Sequence, residues 1–76
     1  MKTEVKIRLK SIEDVRNFVE VVRQYEGDID LASGRYVVDA KSIMGIFSLD
    51  LLSPINLVAH TENADALFEK IAKFTV

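Results

Sequence analysis

Seventy-six residues carrying 10 basic and 12 acidic side chains, a formal net charge of −2, lack both the electrostatic footprint of a nucleic-acid binder and a basic stripe for anionic lipid. A hydrophobic fraction of 49% is ample for one core, and 29% charged residues suit a soluble surface. The absence of cysteine excludes disulfides, thiol catalysis and cysteine–zinc sites, and no apolar run approaches the ~20 residues that a membrane span needs.

The opening run Met1-Lys2-Thr3-Glu4-Val5-Lys6 has no apolar stretch of the signal-peptide kind, so a cytoplasmic protein is expected. The mixed charge points to a protein partner or a neutral one, with neither nucleic acid nor membrane. One domain over residues 1–76 is expected, because no linker, repeat or low-complexity segment divides the chain.

Val5, Ile7 and Leu9 alternate with Lys6, Arg8 and Lys10, the period of a half-buried strand. Ser11 then opens a helix, with Asp14 three residues on in a position like that of a capping box. Ile12, Val15, Phe18, Val19 and Val22 form one apolar stripe, which predicts a helix to about Gln24 or Tyr25 with Gly27 as its C-terminal stop. Ile29 and Leu31 alternate with Asp28 and Asp30 in a second strand. Ser33-Gly34 is a turn signal, and Arg35-Tyr36-Val37-Val38-Asp39 returns as the other arm of a hairpin. Residues 42–47 predict one or two helical turns capped by Ser42. Pro54 precedes a fourth strand at residues 55–60, and Asn63 is placed to cap a last helix that turns Leu67, Phe68, Ile71 and Phe74 inward. This order favours an α+β fold, with two long helices and one short helix on one face of a four-stranded antiparallel sheet. The other face is expected to be polar, from Lys6, Arg8, Asp28 and Asp30.

The run Asp39-Ala40-Lys41-Ser42-Ile43-Met44-Gly45-Ile46-Phe47-Ser48-Leu49 resembles the segment around the regulatory serine of HPr, the phosphocarrier of the bacterial sugar phosphotransferase system. The likeness covers nearly the whole chain in element order and is specific in sequence mainly over residues 38–49. It implies an HPr-like open-faced β-sandwich with split βαβ connections, which supplies the strand pairing that the patterns leave open.

The resemblance also implies two sites. HPr carries its phosphoryl group on a histidine within Gly-Leu-His-x-Arg-Pro-Ala, at the turn from the first strand into the first helix. Here that turn reads Leu9-Lys10-Ser11-Ile12-Glu13-Asp14, so Ser11 falls near the histidine position and Glu13 near the arginine. An unassisted serine hydroxyl is a weak nucleophile, and Glu13 and Asp14 place negative charge where a phosphate needs positive charge. Ser11 is better read as an N-cap. The sole histidine, His60, has no companion for a metal site and is read as a strand-end residue.

Ser42 is the sharper candidate. Lys41, Ser42, Ile43, Met44 and Gly45 match the pattern in which HPr of many Gram-positive bacteria is phosphorylated on serine by a dedicated kinase and then binds a transcriptional regulator. Lys41, Ile43, Met44 and Phe47 are the candidate partner-binding residues. Of the apolar residues around the short helix, Ile43 and Met44 are expected to be exposed, and Ile46 and Phe47 to be core. No glycine-rich phosphate loop or Ser-His-Asp order can be assembled, and no cofactor, metal or enzyme activity is implied. The leading expectation is a regulatory or protein-binding module switched at Ser42, its partner a phosphotransferase-system enzyme, kinase or regulator. The alternatives are a phosphocarrier with an unusual acceptor, Ser11 or His60, and a homo-oligomer formed through the apolar patch or an open sheet edge.

Overall fold

The computed structural model describes residues 3–76 and runs β1 (Thr3–Ile7), α1 (Ile12–Val22), β2 (Asp28–Ser33), β3 (Tyr36–Asp39), α2 (Ile43–Phe47), β4 (Ile55–His60) and α3 (Ala64–Lys70), with a 3₁₀ turn at Ala72–Phe74. The strands form one antiparallel sheet in the order β1-β4-β2-β3. The last strand in sequence therefore lies between the first two. This is the split connection and the α+β architecture expected from the sequence.

Alternation along the strands sorts the sheet into two faces. Val5, Ile7, Ile29, Leu31, Val38, Ile55, Leu57 and Ala59 point to the helical side, and all but Val5 and Val38 are buried. Val15, Phe18, Val19 and Val22 of α1, Ile46 of α2 and Leu67 of α3 close over them to make one core. Phe18 meets Phe74 edge to face, with ring centroids 5.9 Å apart. The pair ties α1 to the end of the chain and adds to the area that both rings bury.

Several boundaries differ from the sequence expectation. β1 stops at Ile7, because the Arg8 amide turns to the Phe74 carbonyl at 2.8 Å; Leu9 stays buried outside any strand. Ile12 is 63% exposed and so leaves the apolar stripe, whose buried members begin at Val15. α1 ends at Val22, and its last turn tightens through bonds from Gln24 to Val21 and from Tyr25 to Val22. Gly27 lies beyond that end. Its φ of 100° and the approach of the His60 carbonyl, 2.8 Å from where a Cβ would stand, make it the pivot into β2.

The expected last helix divides into the seven-residue α3 and the 3₁₀ turn. The Asn63 side chain makes no cap bond; the Asn63 backbone N–H donates to the Thr61 hydroxyl. The open sheet face carries Val37 and Val58 among Glu4, Lys6, Asp28, Asp30, Asn56 and His60, so it is less uniformly polar than expected. Among the described residues, no helix is long and apolar enough to cross a membrane.

Candidate functional site

Two serines cap two helices. At the β1–α1 turn the extended backbone of Ser11 aims its hydroxyl at the Asp14 amide, which donates to it at 3.0 Å. The Asp14 carboxylate reaches back and accepts from the Lys10 amide at 3.0 Å. This is a capping box displaced by one residue, since the reciprocal bond falls on Lys10 instead of on Ser11. Glu13 and Asp14 lie in the first turn, opposite the positive end of the helix dipole. The turn is thus closed internally, with carboxylates where an incoming phosphoryl group would need donors.

At the start of α2 the Ser42 hydroxyl accepts from the Gly45 amide at 3.1 Å. No acidic residue occupies this first turn. Gly45 leaves the bond its space: a Cβ there would stand 3.2 Å from both the Ser42 hydroxyl oxygen and the Val38 Cβ. Ser42 itself is half-buried. The neighbouring Asp39 carboxylate accepts from the Lys41 amide at 2.9 Å on the strand side.

The apolar residues around Ser42 divide differently from the expectation. Ile43 is half-buried against the core and Ile46 is fully buried, while Met44 is 82% and Phe47 43% exposed. The exposed pair is therefore Met44 and Phe47. With only five residues and Ile46 facing inward, α2 leaves Phe47 on its outer side.

Lys41 has a role that spacing did not reveal. Its ammonium donates to the Tyr25 carbonyl at 2.6 Å and also reaches the Gly27 carbonyl, so it holds the segment that leads from α1 into β2. In return Arg23 donates to the Lys41 carbonyl at 3.4 Å, across the peptide that leads into Ser42. Arg23 is 18 residues from Lys41. No local pattern marks such a contact, and only the packing of α1 beside α2 creates it.

His60 stands elsewhere. β4 begins at Ile55, paired with Ile7 beside the β1–α1 turn, and ends at His60, paired with Asp28. Five residue steps of strand separate these ends by roughly 17 Å. His60 lines a shallow depression of about 300 Å³ with Glu26, Gly27, Thr61, Glu62 and Asn63. The structure does not bring it to Ser11, Glu13 or Asp14.

A family model described as the PTS HPr component phosphorylation site matches residues 3–75. The chain belongs to the HPr family. Among solved structures, HPr-C-His from Thermoanaerobacter tengcongensis shares the fold at a TM-score of 0.75 and 22% identity, over 96% of this chain and 88% of that one. The phosphocarrier protein HPr from Bacillus anthracis aligns at a TM-score of 0.74 and 25% identity, over 100% of this chain and 96% of the other. Crh, the Bacillus subtilis catabolite repression HPr, aligns at a TM-score of 0.65 and 31% identity, over 95% and 92%. A search of curated proteins found no match. Within this HPr-family chain, the two serine caps, the Met44 and Phe47 surface and the Arg23–Lys41 crosstie are the features through which a function can be argued.

Proposed function

We propose that this chain is a cytoplasmic regulatory or protein-binding HPr domain, not an enzyme, that has given up histidine phosphocarrier activity and is switched by phosphorylation at Ser42. The single observation that carries the reading is the contrast between the caps. The β1–α1 turn has a serine and two carboxylates and no histidine, whereas Ser42 sits in an uncharged first turn within Lys41-Ser42-Ile43-Met44-Gly45. The name of the 31%-identical relative, a catabolite repression HPr, is in keeping with a regulatory role.

The chemistry is a phosphoryl transfer in which the partner kinase supplies the catalytic groups. The Ser42 hydroxyl oxygen bonds to the γ-phosphorus of ATP, the bond to the bridging oxygen breaks, ADP leaves, and the hydroxyl proton passes to a base of the kinase. The product carries roughly −1.5 to −2 charge beside the Gly45 amide and close to Arg23. Because Met44 and Phe47 flank the same short helix, a docked regulator would meet the new charge and an apolar contact together. Lys41, held to Tyr25 and Gly27, would position the segment, and Ile43 would support it from below.

The test is incubation with an active HPr kinase and ATP. A gain of one phosphate in mass, abolished by Ser42→Ala and kept by Ser11→Ala, supports the switch. No gain with a kinase that phosphorylates a control HPr removes it.

A further inference from the structure

The two edges of the sheet are treated differently. Beyond β1 the end of the chain lies alongside: Phe74 accepts from Arg8, the Val76 amide donates to Lys6, and Ile7 bridges Thr75. That edge is covered by the protein itself at its Lys6–Arg8 end. At the other edge, the side chains of Tyr36 and Val37 in β3 are 69% and 65% exposed. Among the described residues, no backbone bond outside the sheet ladder involves Arg35, Tyr36 or Val37.

Which groups of β3 face outward follows from the ladder. Ala40 donates to the Ile29 carbonyl at 2.8 Å, so Ile29 and Ala40 form a hydrogen-bonded pair. Bonded and non-bonded pairs alternate in an antiparallel ladder. In the observed register, Leu31 with Val38 and Ser33 with Tyr36 are then bonded, while Ala32 with Val37 and Asp30 with Asp39 are not. The N–H and C=O of Val37 and the N–H of Asp39 therefore point away from β2. The Asp39 carbonyl already accepts from Ser42.

We propose that β3 pairs antiparallel with β3 of a second copy of this chain, about a two-fold axis at Val37, joining two sheets into one. The sequence Arg35-Tyr36-Val37-Val38-Asp39 is complementary to itself in that arrangement. Val37 meets Val37 as a hydrogen-bonded pair, each donating to the other's carbonyl. Arg35, in the turn that leads directly into β3, is brought to the end of the shared ladder where Asp39 of the other copy stands. On the helical side Tyr36 faces Val38, an aromatic and β-branched pair.

The pairing also answers a conflict inside one chain. Asp30 and Asp39 are direct cross-strand partners, and like charges so placed repel. A second copy brings a guanidinium to that acidic pair from its free side. An edge that a fold did not need for pairing would more often carry a blocking charge at its centre, where this one has Val37.

Sedimentation equilibrium over a concentration series into the millimolar range tests the proposal. The wild type is expected to dimerise reversibly. Val37→Lys sets two ammonium groups face to face and should leave only monomer, with an unchanged circular dichroism spectrum. Arg35→Asp should weaken the dimer about tenfold or more, and the exchange Arg35→Asp with Asp39→Arg should restore it to within about threefold of wild type. Protection of the Val37 amide from hydrogen exchange should rise with protein concentration. A wild type that stays monomeric, a dimer that survives Val37→Lys, or a charge exchange that fails to restore association would each overturn the proposal.

Discussion

Ser11 and Ser42 do the same local work in opposite electrostatic settings. Each accepts from the amide three residues on, at 3.0 Å for Ser11 and 3.1 Å for Ser42. Around Ser11 the first turn holds Glu13 and Asp14, and the helix behind it runs for 11 residues on a buried stripe. Around Ser42 the first turn is uncharged, the helix has five residues, and Met44 and Phe47 reach solvent. The carboxylates beside Ser11 face the positive end of the helix that it caps. Ser42, half-buried itself, has no carboxylate in its first turn, and the exposed Met44 and Phe47 lie on the same helix. The capping bond alone does not separate the two; their surroundings do.

The comparison breaks first where each helix is anchored. Phe18→Ala removes the ring beneath α1 that packs on Phe74, and should lower stability by about 3–5 kcal/mol in urea denaturation. Ile46→Ala removes the one fully buried side chain of α2 and should cost about 2–4 kcal/mol, since Ile46 is the main root of that helix in the core, with Ile43 only partly buried beside it. If Ile46→Ala cost nothing, α2 would not be held by burial and its exposed surface would not be a fixed one.

Capping changes come next. Ser11→Ala and Ser42→Ala should each lower stability by about 1 kcal/mol, read from the same denaturation midpoints. Ser42→Asp keeps an acceptor at the cap and should stay within about 0.5 kcal/mol of wild type. Glu13→Lys reverses a charge in the first turn of α1 and should destabilise by about 0.5–1 kcal/mol, less at high salt. A Glu13→Lys chain more stable than wild type would mean that the acidic turn does not serve the helix. The smallest effect on stability belongs to Met44→Lys, within about 0.5 kcal/mol because the side chain is 82% exposed, together with weaker binding of a regulator in calorimetry.

Much of this molecule could be read from residue order. Strand alternation placed Ile7, Ile29 and Leu31 in the core, and the helical stripe placed Val15, Phe18, Val19 and Val22 there. The caps at Ser11 and Ser42 followed from residue type and spacing, because capping is local. What could not be read depends on contacts distant in sequence. Ile12 has the right spacing for the stripe but lies at the rim, where nothing covers it. Phe47 looked like core from its type, yet a helix as short as α2 buries only one side, and Ile46 takes it. Lys41 reaches Tyr25 and Gly27, and Arg23 reaches Lys41, only because the hairpin folds back on α1. The covered β1 edge likewise depends on where the chain end lies.

The most direct measurement offers the protein both phosphoryl donors and maps the product residue by residue with tandem mass spectrometry. One sample receives ATP and HPr kinase, the other phosphoenolpyruvate and the upstream enzyme of the phosphotransferase system. The account predicts phosphate on Ser42 in the first sample and no label in the second. Phosphate on His60 or Ser11 from phosphoenolpyruvate, with Ser42 unmodified by the kinase, would contradict it.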